Sequence, residues 1–296
     1  MKRKFKIYTI IVCFNPDINS LISLCETLLH SNSEVVVIDN TDVSYIAEAM
    51  NSLGCVFIAM NVNSGIAHAQ NTGISHALGC GAEIIVFFDQ DTKIDGLFLG
   101  CLLDVIRDDT PLVVSPVYYD DAKGYEFPAL KLNKYGIPTK KFSKGSLKPY
   151  EVDIIISSGS AATAATFKKV GLMDEDFFID YVDIEWCIRC RNKNIPIMVV
   201  PTATMKHSIG ESSVNLGVMR GHIHSPLRSY YKLRNCFLLF RKSDIPFLFA
   251  INEILTSFIH STIMMFYVKD KLKYLFSYFY AIYDGVQGIV GKRTLR

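Results

Sequence analysis

One tryptophan, Trp186, is all the indole in 296 residues, and no segment of the chain repeats another. The lack of a repeat excludes solenoids and propellers. No G-x-G-x-x-G follows the first apolar run, so the phosphate-binding turn of a dinucleotide oxidoreductase is missing. No helix-turn-helix, zinc-finger or RNA-binding signature is present either, which excludes nucleic acid as the expected partner. The eight cysteines are scattered, most of them inside apolar runs. Cys187 and Cys190 form a C-x-x-C, but no second pair follows, so neither zinc nor a disulfide framework is expected. The thiols read as reduced and cytosolic. Met-Lys-Arg-Lys-Phe-Lys begins the chain, yet the apolar run behind it (Ile7 to Phe14) is short and stops at Asn15-Pro16, so it reads as a strand and not a signal peptide.

What is present is a large apolar fraction, half of all residues, which rules out a disordered chain. The length suits one large α/β domain, alone or with an appendage. The net charge of +2 conceals a division. Residues 1–200 carry 18 Lys/Arg against 24 Asp/Glu, and residues 201–296 carry 13 against 5. A basic, aromatic-rich final third fits an anionic ligand or an anionic membrane surface.

Short β-branched runs alternate with helical spacing through the first ninety residues. IYTIIVCF (7–14), EVVVID (34–39), a short strand at 55–60 and EIIVFF (83–88) are separated by helices over 17–31, 43–53 and 66–79. That alternation predicts βαβ units and a parallel sheet. Residues 112–157 read as short strands and a Gly/Pro/Lys-rich loop or edge, 174–191 as a loop entering a helix, 195–200 as a strand, and 226–242 and 247–283 as helices. Ligands of a parallel sheet sit at the carboxyl ends of its strands. Polar residues collect there: Asn15, Asp39, Asn63 with Gly65, and Asp89-Gln90-Asp91.

Each cluster has a bland reading beside a chemical one. Asp89 and Asp91, one residue apart after a buried strand, can face one hard cation that holds a diphosphate; as a bare tripeptide they would be a solvated turn. Asp39 can accept from a ribose or base edge, or cap the following turn with Asn40 and Asp42. Gly65 opens a helix whose N–H groups suit phosphate, with Asn71 on the same helix, or the pair is a plain cap. Asp180, Asp183 and Glu185 lie in IDYVDIEWCIR, where one carboxylate can act as general base or all can favour a helix N-terminus. Asp183 and Trp186 share a face at i, i+3, and Glu185 pairs with Arg189 at i, i+4. Trp186 can stack on a sugar or fill the core. His207 can ligate a metal or be structural.

Taken in order, CFNP, VVVIDN, NVNSGIAHAQNTGI, FFDQD, SGSAATAATFKKVGLMDEDFFIDYVDIEWCIR and KHSIGE resemble glycosyltransferase family 2, from about Thr9 to Asn235. The forms FFDQD, FFIDYVDIEWCIR and RSYYKLRN look like the bacterial rhamnosyltransferase branch, which uses dTDP-L-rhamnose to build surface polysaccharide. The resemblance implies a GT-A fold: a Rossmann-like, mostly parallel sheet flanked by helices over 1–225, with a C-terminal helical extension over 226–296. It implies inverting transfer with a divalent metal, Mg²⁺ or Mn²⁺. Asn15, Asp39, Asn63, Gly65, Asn71 and Asp89 would line the nucleotide-sugar pocket. Asp91 would be the main metal ligand, with Asp89 nearby and His207 completing the site. Asp183 takes the place of the catalytic base. Many relatives carry a paired acid directly before it; here Val182 stands there, which leaves Asp180 as a rival base. Arg228, Tyr230, Tyr231, Arg234 and Asn235, together with Trp186, would meet acceptor or diphosphate, or form an amphipathic helix with a solvated basic face. Donor alternatives are a UDP-hexose or UDP-galactofuranose, and the non-enzymatic alternative is a nucleotide-sugar-binding assembly partner.

Residues 245–268 are long enough to span a bilayer, but Asn252, Glu253 and His260 interrupt them, and a charge near the bilayer centre is costly. The expectation is helices lying in the membrane interface, on a cytoplasmic enzyme peripheral at the inner face of the membrane and acting on a lipid-linked oligosaccharide acceptor. A helical homodimer interface is the alternative.

Overall fold

The computed structural model describes residues 4–120, 124–207, 213–216, 219–222 and 224–293, with backbone alone at 207, 213–216 and 219–222. The strands are β1 (Ile7–Cys13), β2 (Glu34–Asp39), β3 (Val56–Ala59), β4 (Ile84–Asp89), β5 (Val113–Asp120), β6 (Glu126–Phe127), β7 (Ala129–Leu132), β8 (Pro138–Lys141), β9 (Tyr150–Val152), β10 (Ala161–Thr163), β11 (Ile197–His207), β12 (Ser213–Leu216) and β13 (Met219–His222). The helices are α1 (Ile18–His30), α2 (Ala47–Ser52), α3 (Ile66–Gly79), α4 (Phe98–Leu103), α5 (Ala164–Val170), α6 (Val182–Asn192), α7 (Pro226–Arg241), α8 (Phe247–Tyr267) and α9 (Lys271–Gln287). A 3-10 turn, Glu175–Phe177, precedes α6.

The main sheet runs β3-β2-β1-β4-β10-β5-β11-β9, with β6 on β5. β1, β2, β3 and β4 are parallel, as are β5 and β11, while β10 lies antiparallel between β4 and β5. The chain therefore leaves β1 towards β3 on one side and returns to β4 on the other. That reversal opens a crevice at the carboxyl ends of β1 and β4. In register, Cys13 lies opposite Asp39 and Val12 opposite Asp89, so both acids flank the end of β1.

The central strands β1, β2 and β4 are almost wholly apolar because both faces are covered. Alternate residues sort to opposite sides. Ile10, Val36, Ile38, Ile85 and Phe87 join the core beneath α3, α5 and α6. Ile11, Val35, Val37, Val86 and Phe88 join the one beneath α1 and α4. Helix ends follow local chemistry. The Asp17 side chain accepts from the Ser20 N–H at the start of α1, and Ser225 with Pro226 starts α7. Cys236, Leu238, Leu239, Phe249 and Ala250 of α7 and α8 belong to the same core as the sheet.

Three elements differ from the sequence expectation. The helix expected over 247–283 is two, broken at Val268-Lys269-Asp270. The strand expected at 195–200 continues to His207 through an irregularity between Val200 and Thr204. The helix expected over 43–53 shrinks to six residues.

Candidate active site

The crevice is built by loops that leave the strand ends and tie to one another. Gln90, the middle residue of Asp89-Gln90-Asp91, accepts from the Phe14 N–H at 2.6 Å and donates to the Phe14 carbonyl at 3.2 Å, locking the end of β4 to the end of β1. Asn15 is exposed beside it, with φ of 48°, and its N–H donates to Thr41 Oγ1 at 2.9 Å. Asn40 accepts at Oδ1 from Ser64 N–H and Oγ, and donates to Asn63 Oδ1. The carboxyl ends of β2 and β3 are thereby cross-linked around the crevice.

Asp39 is fully buried. Its Oδ1 accepts from the Thr41 N–H at 3.1 Å, and its Oδ2 is buried with no hydrogen-bond partner among the described residues. Leaving such an acceptor unmet costs about 1–3 kcal/mol.

Asp89 is half-buried at the strand end and Asp91 is exposed on the turn after it. Lys93 bridges antiparallel to Lys206, which brings the backbone end of β11, where His207 sits, alongside this turn. The side chain of His207 lies outside the described residues. Among those described, no three His, Cys, Asp or Glu side chains form a metal cage.

A run of small residues that the sequence analysis did not single out for a role joins the two acidic poles. The Asp89 N–H donates to Ser158 Oγ at 3.0 Å, and the Ser157 N–H donates to Asp183 Oδ2 at 3.3 Å. Gly159 belongs here because φ is +75° and a Cβ would stand 2.9 Å from Met205 Sδ. The run Ser157-Ser158-Gly159-Ser160 was the available signal: small residues between two apolar segments mark close backbone approach.

Asp183 begins α6. Its Oδ1 accepts from the Ile184 N–H at 2.9 Å. Burial pushes its carboxyl up from the usual 3.8 to about 6, against the lowering effect of those N–H donors and with a smaller push from Asp180. A carboxylate poised near neutrality suits a base that takes a proton from a hydroxyl. Asp180, with φ of 61°, is engaged instead by Arg228, at 3.3 and 3.4 Å.

The structure thus brings Asn15, Asp39, Asp89, Asp91, Asp180 and Asp183 to one edge, with Arg228 beside Asp180. Other expected site residues are used up inside the fold. Asn71 donates to the Met173 carbonyl and Glu175 and accepts from the Met173 N–H, so it braces the 173–175 segment and does not face a ligand. Asn63 accepts from Gly65, and the N–H of Ile66 donates to the Phe178 carbonyl at 2.7 Å, so these N–H groups at the start of α3 are not open to phosphate. Gly65 serves packing: at φ of +89°, a Cβ would meet Phe178 at 2.6 Å. Trp186 is core: it stacks on Phe167 at 5.3 Å and donates to the Gly171 carbonyl, leaving no face for a sugar. Tyr231 is core too, stacked on Phe178 at 4.7 Å. Arg234 is 0 % exposed and hydrogen-bonded to backbone carbonyls, so it cannot reach diphosphate or acceptor.

A parallel sheet reversing at β1 and β4, an unmatched buried acid at the end of β2 and a carboxylate pair at the end of β4 define a GT-A-type nucleotide-sugar fold. Two solved structures share it: GalNAc-T7 with UDP, GalNAc and Mn²⁺ (TM-score 0.57, 13 % identity, 86 % of this chain and 57 % of that one) and S. aureus TarS 1–349 with UDP-GlcNAc (TM-score 0.54, 16 % identity, 96 % and 81 %). This chain spans little more than half of the former. The sequence model of Glycosyl transferase family 2 matches residues 8–171. The chain is 38 % identical over 286 residues to the dTDP-rhamnosyl transferase RfbF of Shigella flexneri, covering 96 % of this chain and 97 % of that one. It is 24 % identical over 275 residues to the Low-salt glycan biosynthesis hexosyltransferase Agl10 of Haloferax volcanii, covering 88 % and 85 %. The chain belongs to glycosyltransferase family 2, and it is an enzyme of glycosyl transfer.

Proposed function

We propose that this enzyme transfers L-rhamnose from dTDP-L-rhamnose to a sugar hydroxyl of a lipid-linked polysaccharide or O-antigen precursor, with inversion at the anomeric carbon. One observation carries the chemistry: Asp183 and the Asp89–Asp91 turn are held at one strand edge through the adjacent residues Ser157 and Ser158. The choice of donor rests on the end-to-end likeness to a dTDP-rhamnosyl transferase.

The orphaned Oδ2 of Asp39 suits an N–H of the thymine ring or a deoxyribose hydroxyl. Asp89 and Asp91 are hard oxygen donors that leave coordination positions for diphosphate oxygens, so they fit Mg²⁺ or Mn²⁺. Such an ion, when bound, offsets charge developing on the departing nucleoside diphosphate. Asp183 accepts the proton of the attacking hydroxyl, its Ser157 and Ile184 N–H donors fixing the direction from which it does so. One displacement at the anomeric carbon forms the new glycosidic bond as the bond to diphosphate breaks.

The acceptor side rests on the C-terminal helices. α8 is long and apolar enough to cross a membrane by length and composition, and 22 % of its most apolar window is buried. Its inward stripe is Phe249, Ala250, Ser257, Ser261 and Met264, and Glu253 accepts from Tyr181 on the protein side. Phe247, Leu255, Ile259 and Phe266 of α8 and Leu272, Phe276 and Phe279 of α9 are exposed, with Lys269, Lys271 and Lys273 beside them. An apolar face edged by lysines suits the interface of an anionic bilayer, on the cytoplasmic leaflet.

The test is transfer from dTDP-rhamnose to a lipid-linked acceptor, with the anomeric configuration of the product read by NMR. Rhamnose added with inversion supports the proposal; retention, or hydrolysis with no acceptor product, counts against it. Flotation with anionic vesicles tests the helices, and a concentration-dependent dimer that ignores vesicles would replace the membrane reading with a second copy of the chain.

A further inference from the structure

The segment between the 3-10 turn and α6 carries Asp180 and delivers Asp183, and its backbone is unfavourable. Phe178, Asp180 and Tyr181 have φ of 63°, 61° and 66°. Left-handed conformations in non-glycine residues cost about 1–2 kcal/mol each and persist only where surroundings over-determine them. Here they do. Each of the five carbonyls from Asp176 to Asp180 has a donor within hydrogen-bond distance. Asp176 O accepts from Gly291 N–H at 2.8 Å and from Arg234, and Phe177 O from Arg234 Nη2 at 3.0 Å and Asn235 Nδ2 at 2.9 Å. Phe178 O accepts from Ile66 N–H, and Ile179 O and Asp180 O lie 2.7 and 3.0 Å from Asn235 Nδ2.

Arg234 and Asn235 act as a unit. Both are fully buried, and Nε and Nη2 of Arg234 fork onto Asn235 Oδ1 at 3.0 and 2.8 Å, which turns the amide nitrogen towards the loop. Arg234 Nη1 donates to the Gly291 carbonyl at 2.6 Å, and its guanidinium lies 5.6 and 4.9 Å from the ring centres of Tyr230 and Tyr231. Among the described residues no carboxylate is hydrogen-bonded to this buried cation, and burial lowers its pKa from the ordinary arginine value. A buried charge is costly in a fold; the Asp176 carboxylate favours this one from a distance, and its hydrogen bonds go to the backbone of this loop, to Gly291 and to Asn235.

We infer that Arg234 and Asn235 are positioning residues for the base: they hold the 176–181 backbone in the left-handed geometry that aims Asp183, with Asp180, into the crevice. The inference rests on reading Asp183 as the base. It also makes α7 and the 288–293 segment working parts of the active site.

The test uses Asn235→Ala, Arg234→Lys and the double variant of the full chain. Arg234→Lys keeps the charge and loses the fork. kcat, donor affinity by calorimetry with Mg²⁺, and the acid limb of the kcat–pH profile are measured. The inference expects kcat to fall at least tenfold, donor affinity to stay within about twofold of wild type, and the acid limb to move. The double variant should cost no more than the worse single one. Unchanged kcat, or kcat and donor affinity falling in proportion, overturns it. Should a variant fail to fold, amide exchange of the wild-type protein decides: the N–H groups of Ile66 and Gly291 must be protected to the level of α7, and exchange at free-loop rates overturns the clamp. A wild-type enzyme that transfers no sugar counts against the proposed reaction, whereas the exchange result addresses the clamp alone.

Discussion

Replacing Asp183 with asparagine separates what this residue does for catalysis from what it does to the fold. The carboxyl is pushed from 3.8 to about 6 chiefly by burial, so the folded protein holds its proton more tightly than the unfolded chain does. A group raised in this way supports stability below the unfolded value, near pH 4, and loses that support as pH rises through about 6. Two units at about 1.4 kcal/mol each set an upper limit of ~3 kcal/mol on the destabilisation at pH 7.5. Asparagine, like the protonated acid, turns one good acceptor oxygen to the N–H donors of Ser157 and Ile184, so that loss is already contained in the net shift, and the partial exposure of Asp183 keeps the gain below the limit. The variant should therefore be about 1–2 kcal/mol more stable than wild type at pH 7.5. The difference should vanish towards pH 4, as read by urea denaturation at both pH values. Turnover should fall by about 10²–10⁴-fold, the usual worth of a general base. A variant less stable than wild type at pH 7.5, with the same gap at pH 4, would refute the burial argument. Turnover within a few-fold of wild type would remove Asp183 from the mechanism and promote Asp180.

Asp39→Asn, which keeps an acceptor for Thr41 N–H, should weaken donor binding by about tenfold or more with little change in melting temperature, checked by calorimetry and thermal denaturation. Trp186→Phe should cost about 1–3 kcal/mol of stability through the lost Gly171 hydrogen bond and stacking volume, and leave the KM for donor unchanged in steady-state assays. Gly65→Ala places a methyl against Phe178 in a left-handed position, so it should lower both melting temperature and kcat by displacing the base loop.

The parts of this architecture that were legible were those in which one residue type repeats for one reason. EVVVID and EIIVFF are apolar on both faces because helices cover both, and a buried parallel strand that ends in Asp announces the ligand edge. Helix faces were less legible. Trp186, Tyr231 and Arg234 are polar or amphipathic residues on helices, and single-sequence periodicity does not say which neighbour each face meets. Arg234 is the sharpest case, since arginine is almost never fully buried unless paired, and here its partners include the carbonyls of Asp176 and Phe177 far upstream and that of Gly291 far downstream. Asn71 and Gly65 were read as ligand contacts because the segment that occupies them, 173–178, lies about a hundred residues further along the chain. The break between α8 and α9 carries no proline or glycine; its local mark is the charged run Lys269-Asp270-Lys271 that ends the apolar stretch 245–268.

The donor is the claim on which the rest depends, and calorimetric titration with dTDP-rhamnose, UDP-glucose and UDP-galactose, each with and without Mg²⁺ or Mn²⁺, tests it most directly. The account predicts metal-dependent binding of dTDP-rhamnose alone, lost in Asp91→Ala. Preference for a UDP-sugar, or dTDP-rhamnose binding that Asp91→Ala leaves intact, would contradict it.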